Sequence, residues 1–297
     1  MSPIAASELI INGQCAIYHL ALAPHQLAPT VITVGDPGRV ARVSQHFSHI
    51  THRAAHREFV THTGICHGLP ISVISSGIGP DNIDIVLNEL DALANIDFAT
   101  RLPHARRRSL RIIRLGTCGG LQPDVPVDSL VVSDHGIGLD NLLYYYEHRT
   151  TAADGALLEA FAAHTGLAGG PVASYIAPAS ALKDYFTDGY HHGITATCPG
   201  FYGPQGRQLG LVPAYPDLPA RLSSFRHEGQ RITNFEMETS ALYGLGQLMG
   251  HQCLSVSVIV ANRALGTFSA NGDAAVDELI ARSLEVICRM PAPEPGF

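Results

Sequence analysis

Short apolar, β-branched runs recur along the chain, each ending in a glycine turn and followed by an apolar stripe at helical spacing. Val31–Val34 leads into Gly35-Asp-Pro-Gly-Arg39. Proline is favoured in the first turn of a helix, so the pattern predicts a strand, a glycine turn and a helix through about Phe47. His56-Arg-Glu-Phe59 opens a stretch that turns at Gly68-Leu-Pro70 and reads as a hairpin. Ile71–Ile74 ends in Ser75-Ser-Gly-Ile-Gly-Pro80, after which Ile83, Val86, Leu87, Leu90 and Leu93 share one helical face. Arg111-Ile-Ile-Arg-Leu-Gly-Thr-Cys-Gly-Gly-Leu-Gln122 is a buried strand running into a loop whose backbone must approach something closely.

Ser129–Ser133, Pro171–Ala177, Tyr190–Cys198 and Cys253–Val260 read as further strands, and Asp154–His164 as a helix. Ala241, Leu242, Leu245, Leu248 and Met249 mark another helix. The last, with Val276, Leu279, Ile280, Leu284 and Ile287 buried, is expected to be capped by Asp273. Strands and helices alternate from end to end without a repeat or a long linker. The expectation is one α/β domain over residues 1–297, with 1–18 and 291–297 as peripheral tails and a largely buried central sheet.

Composition narrows the function. A net charge of −7 disfavours a nucleic-acid binder, and 97–110, with Arg101, Arg106, Arg107 and Arg108, reads as an insertion with a solvated face. Arginine outnumbers lysine 18 to 1, so an arginine counts as functional only in a specific context. No apolar run reaches membrane-spanning length, and the start lacks a basic segment with a greasy core, which predicts a cytoplasmic protein without membrane contact. Six cysteines (15, 66, 118, 198, 253, 288) without a Cys-x-x-Cys pair predict reduced, mostly buried thiols. There is no His-Glu-x-x-His, and His46, His49, His52 and His56 have no acids at ligand spacing, which argues against a metal enzyme.

Three segments offer groups for an anion: Gly35 with Arg39, Arg57, and Arg114 with Thr117. Guanidinium forks match phosphate oxygens. Asn234-Phe-Glu-Met-Glu-Thr239 brings Glu236, Met237 and Glu238, suited to ribose hydroxyls and an apolar sugar face, although two acids before a helix also suit its dipole. Pro199–Arg207 carries Phe201, Gln205 and Arg207, which can pack on a ring and hydrogen-bond its edge. Phosphate, ribose and base together make a nucleoside phosphorolysis site.

Nearly the whole chain, from about His19 to the last helix, resembles the uridine phosphorylases of the nucleoside phosphorylase family. The motifs that carry the resemblance are Gly35-Asp-Pro-Gly-Arg39, His56-Arg-Glu-Phe59, Ser76-Gly-Ile-Gly79, Arg114-Leu-Gly-Thr-Cys-Gly-Gly120, Phe201-x-x-x-Gln-x-Arg207, Asn234-Phe-Glu-Met-Glu238 and Asn262-Arg263. It implies a three-layer sandwich with a mixed, partly barrel-like sheet between helices. It also implies phosphate at Gly35, Arg39, Arg114 and Thr117, with Arg57 from a neighbouring subunit. Ribose would be held by Glu236, Met237, Glu238 and Thr117, with His19 reaching across from that neighbour. The base would meet Phe201, Gln205, Arg207 and Arg263. Catalysis would fall to Arg207, Gln205 and Arg114.

By the same resemblance, Glu58, Ile78 and Asn82 mark a potassium position between subunits, with Asn82 in place of the usual serine. No cofactor is required, inorganic phosphate is a co-substrate, and the protein is a homo-oligomer, either a dimer or a hexamer built as a trimer of dimers. The implied reaction is phosphorolysis of uridine in pyrimidine salvage. Alternatives are a purine phosphorylase or nucleosidase of the same family, or a non-catalytic nucleoside-binding member. Purine members protonate N7 with an aspartate near the end of a late strand, where this chain reads Ile259-Val-Ala-Asn-Arg263. Other departures are Cys118 in the phosphate loop and Gly203 in the base loop.

Overall fold

The computed structural model describes residues 2–167 and 172–291. Strand β1 (Thr30–Val34) is buried at every position and runs into helix α1 (Pro37–Ser44). Pro37 opens that helix and the Asp36 carboxylate accepts a hydrogen bond from the Gly38 N–H at 2.8 Å, a cap that satisfies one free donor. Three antiparallel strands follow, β2 (His49–His56), β3 (Phe59–Cys66) and β4 (Leu69–Ser75), and then helix α2 (Pro80–Asn95). Two short strands, β5 (Ile96–Asp97) and β6 (Leu102–Pro103), precede the long β7 (Arg111–Gly120) and β8 (Leu130–Gly138). Helix α3 (Ala152–Thr165), β9 (Tyr175–Pro178), β10 (Tyr190–Thr197), α4 (Leu218–Ser224), β11 (Arg226–His227) and β12 (Gln230–Glu236) come next. The chain ends with α5 (Thr239–Met249), β13 (Gln252–Asn262), β14 (Thr267–Phe268) and α6 (Gly272–Arg289).

The main sheet runs β11-β12-β10-β8-β13-β7-β1-β4-β3-β2, with β9 on β8 and β14 on β13. Strand β12 also pairs with β7, through Asn234 opposite Gly120 and Phe235 opposite Gly119, which closes β7, β13, β8, β10 and β12 into a ring. Parallel pairs (β1 with β4 and β7, β13 with β7) and antiparallel ones coexist, so the sheet is mixed. On one face, Ile83 and Leu87 of α2 and Leu242 and Leu245 of α5 are fully buried. On the other, Val40 and Val43 of α1 meet Leu279 and Ile280 of α6. Each such side chain contributes about 1.5–3 kcal/mol by leaving water. The expected three-layer, partly barrel-like α/β architecture is present.

Several local expectations need correction. Strand β2 was not anticipated, because its His-Ile-Thr-His-Arg-Ala-Ala-His pattern is that of a polar edge strand, exposed or half-buried throughout. The first helix stops at Ser44. Asn271, two residues before Asp273, caps α6, its side chain accepting from the Ala274 N–H at 3.1 Å. The strand expected at Pro171–Ala177 is observed at Tyr175–Pro178, and Pro171 lies outside the described residues, as do 292–297 of the expected tail.

Residues 2–18 are mostly exposed but are tied down at a few points. Leu9 and Ile17 are buried in the α2 cluster, and the Arg101 guanidinium donates to the carbonyls of Ile4 (2.8 Å), Ala5 (3.1 Å) and Leu9. Arg107 donates to Asp91 and to the Met249 carbonyl, and Arg108 to the Ala94 carbonyl. Arg106, Arg107 and Arg108 are exposed, a solvated face as expected, while Arg101, Arg107 and Arg108 also tie chain segments down. All six cysteines are free, four of them buried. Among the described residues no helix is long and apolar enough to cross a membrane.

Candidate active site

A cavity of about 690 Å³ opens beside the carboxyl ends of β1, β7 and β13, where ligands of α/β sheets sit. Its first end is cationic. Arg39, in the first turn of α1, donates from Nη1 to the Leu115 carbonyl at 3.2 Å, while its buried Nε has no partner. Burial, and then the nearby charge of Arg114, hold the Arg39 guanidinium below its ordinary pKa. A guanidinium held down by burial and a neighbouring cation is relieved by an anion.

Arg114 leaves β7 in the middle of the sheet and runs forward over Gly116. A Cβ on Gly116 would land on that guanidinium, so glycine there leaves Arg114 its path. Nη2 of Arg114 donates to Glu238 and lies 3.2 Å from Glu236, and its buried Nε is unpartnered. Burial works against its charge, but Glu238 and Glu236 outweigh it and raise the pKa. Gly35 and the half-buried Thr117 also line this end.

The middle is acidic. Glu236 accepts from the backbone N–H groups of Glu238 (2.9 Å) and Thr239 (3.0 Å) and from the Thr197 hydroxyl (2.8 Å). It thus caps α5 as the dipole argument expected, and still faces the cavity. Glu238 accepts from the Gly79 N–H at 2.8 Å and from Arg114. Burial pushes the Glu238 carboxyl up; Arg114 pulls it back and the charge of Glu236 pushes it up again. Met237 lines the wall between the two acids.

The far end is built for a flat ring. The Arg207 guanidinium lies 3.7 Å above the Phe201 ring centre, and donates to the Phe201 carbonyl (2.6 Å) and to the Gln205 side-chain oxygen. Engaging that oxygen turns the Gln205 amide so that its NH₂ remains for an acceptor on a ligand. Burial, then the charge of Arg263, lower the Arg207 pKa. The apolar walls here, Phe235, Val260, Ala261 and Phe268, were not anticipated as site residues, nor was Asp36. Sequence pattern marks Phe235 and Val260 only as strand core, and Phe268 follows a turn with no apolar run to flag it.

Three expected site residues are not brought to the cavity of their own chain. His19 is held by Glu89, through its backbone N–H and its Nδ1 at 2.7 Å. Arg57 is exposed at the tip of the β2–β3 turn, in the left-handed region (φ 54°), with its guanidinium near Tyr18. Arg263 follows β13 and donates from Nη1 to the Gln205 carbonyl at 3.2 Å, so it buttresses the base loop from behind. Glu58, Ile78 and Asn82 do meet at the rim. However, the Asn82 side-chain NH₂ donates to the Ile78 carbonyl at 3.4 Å, the oxygen a cation would need.

A ring-closed mixed sheet with helices on both faces, carrying a cationic, an acidic and an aromatic station in one cavity, defines the class: the chain belongs to the Phosphorylase superfamily, whose model matches residues 29–290. Within it, the chain is 32% identical over 256 residues to the uridine phosphorylase of Thermococcus kodakarensis, covering 86% of this chain and 81% of that one. Uridine phosphorylase of Escherichia coli is 26% identical over 255 residues, covering 83% and 86%. The crystal structure of a Trypanosoma brucei nucleoside phosphorylase, described as showing uridine phosphorylase activity, superimposes with a TM-score of 0.88 at 32% identity, covering 95% of this chain and all of that one.

Proposed function

We propose that this protein cleaves uridine with inorganic phosphate, giving uracil and ribose 1-phosphate in pyrimidine salvage in the cytoplasm. The observation that carries the reading is the order of the three stations: two guanidiniums whose buried Nε atoms are unpartnered, then two carboxylates, then a stacked Phe201–Arg207 pair with a committed Gln205. That is the order of phosphate, ribose and base along the reacting molecules.

On this reading Arg39, Arg114, Gly35 and Thr117 hold the phosphate beneath C1′, and Glu236, Met237, Glu238 and Thr117 hold the sugar. A phosphate oxygen forms a bond to C1′ as the bond to the base breaks, and the base leaves with the electron pair. The dianion below stabilises the positive charge on the sugar. Gln205 and Arg207 strengthen their hydrogen bonds as the pyrimidine gains negative charge, which is differential binding of the transition state. Burial of Arg114 and Gln205 makes their interactions stronger than they would be in water. The late-strand position where purine members carry an aspartate holds Asn262. Its NH₂ donates to Gln122 and Val125 carbonyls (2.9 and 2.8 Å) and its oxygen accepts from Leu265 at 2.9 Å. An amide so committed has no proton for N7, which favours pyrimidine.

Arg57 and His19 complete the site from a second copy. Arg57 stands exposed at the tip of a two-residue hairpin turn, free to reach a neighbouring copy. The assembly is then a dimer or a trimer of dimers. The test is purified protein with uridine, with and without phosphate, following uracil and ribose 1-phosphate. Release of both products only with phosphate is expected. Uracil release without phosphate would make the protein a nucleosidase, and no release from any nucleoside would make it a binding protein.

A further inference from the structure

Strand β13 is covered on both faces, and its alternate residues Leu254, Val256 and Val258 pack in the α1–α6 cluster. The opposite face carries Ser255 and Ser257, both fully buried. Buried hydroxyls in the centre of a sheet are tolerated only with partners. Register sets Ser255 beside Arg114 and Ser257 beside Gly116, over which the Arg114 side chain runs. Nη1 of Arg114 accordingly reaches Ser257 Oγ at 3.2 Å and Ser255 Oγ at 3.5 Å. Ser255 is itself fixed from α5: its Oγ accepts from the Thr239 hydroxyl and its N–H donates to the Tyr243 hydroxyl, each at 2.8 Å.

We propose that Ser255 and Ser257 are positioning residues that hold Arg114 for phosphate. Arg114 is pulled from one side by Glu236 and Glu238. Without a counter-hold its guanidinium would swing fully onto the two acids and turn away from the anion. Carboxylates in place of the serines would provide the hold but would cancel the positive charge the dianion needs. Hydroxyls accept the N–H groups without adding charge. This inference rests on Arg114 belonging to a phosphate site, as argued above.

The test is steady-state kinetics of the full-length protein with phosphate varied at saturating uridine, and the converse. Ser257→Ala is expected to raise KM for phosphate about tenfold, the equivalent of one hydrogen bond to a charged group, with KM for uridine unchanged. Ser255→Ala/Ser257→Ala should raise it further, and Ser257→Thr should restore it. Ser257→Cys keeps the shape with a weak acceptor, and should match the alanine variant even if the shorter alanine side chain packs badly. Unchanged phosphate KM, an equal rise in both KM values, or a fall in kcat alone that tracks lost folded protein would overturn the proposal. Wild-type turnover that ignores phosphate would instead sink the underlying phosphate-site reading.

Discussion

Removing Arg114 separates what it does for stability from what it does for phosphate. The Arg114, Glu236 and Glu238 side chains are 5%, 2% and 6% exposed, so none can be rescued by water. Breaking a buried pair by deleting one partner costs about 3–5 kcal/mol. The burden falls unequally. In Arg114→Met, Glu236 keeps two backbone donors and the Thr197 hydroxyl, whereas Glu238 keeps only the Gly79 N–H. Glu238 is already pushed up by burial and would lose the charge that pulls it back, so it is the acid that takes a proton.

The pH dependence follows from that. Between the unfolded carboxyl range, about 4.3, and the raised folded value, the native state holds a proton that the unfolded chain has released. Stability of Arg114→Met is therefore greatest below that window and falls as pH rises through it, by at most about 1.4 kcal/mol per pH unit. Urea unfolding followed by circular dichroism at pH 5, 6, 7 and 8, at fixed protein concentration, reads this slope against the wild type. In Arg114→Met/Glu238→Gln the slope should relax and most of the lost stability return, while phosphorolysis stays absent in both variants. If Arg114→Met were as stable as wild type at pH 7, or the double variant no better than the single one, the ion-pair reasoning would be wrong.

Two further outcomes are expected. Arg207→Ala removes the cation stacked on Phe201 and the bond that turns Gln205. Its kcat/KM for uridine should fall roughly a hundredfold, with phosphate affinity by calorimetry intact; unaltered uridine kinetics would refute the base-reading role. Mixing inactive Arg57→Ala subunits with inactive Arg39→Ala subunits should restore activity, to about one quarter of the wild-type level for random dimers with one intact site per mixed pair. A mixture no more active than its components would place Arg57 outside any shared site.

Strand, glycine loop and helix units were legible because burial on both faces writes itself as an unbroken apolar run, and the loops at β1, β4 and β7 announce themselves by glycine. The same bias hid β2, whose edge position leaves it polar, and it hid Ser255 and Ser257, small residues inside what reads as the most β-like strand. Arg39, Arg114, Glu236, Glu238, Gln205 and Arg207 could be singled out by type and spacing, and the cavity brings them together. Phe268 and the buttressing place of Arg263 depend on how distant loops pack, which no local pattern records. The tie between Arg101 and the first residues is a contact across about ninety positions, and a run of arginines carries no sign of the carbonyls it will meet.

The late arrival of β13 sets an order on how the molecule comes into being. In the sheet it lies between β8 and β7, yet it is made long after both, and Arg114 meets its Ser255 neighbour across 141 residues of chain. A chain emerging from the ribosome therefore carries β7 and β8 with unfilled hydrogen-bonding edges until β13 slots in. Pairings so far apart in sequence close slowly. The Ser255 and Ser257 hold on Arg114, and the strand that seats the ring walls Val260 and Ala261, appear only at that moment. A nascent or truncated chain is not a weaker enzyme but one without a site, and its exposed strand edges are what quality control would meet first.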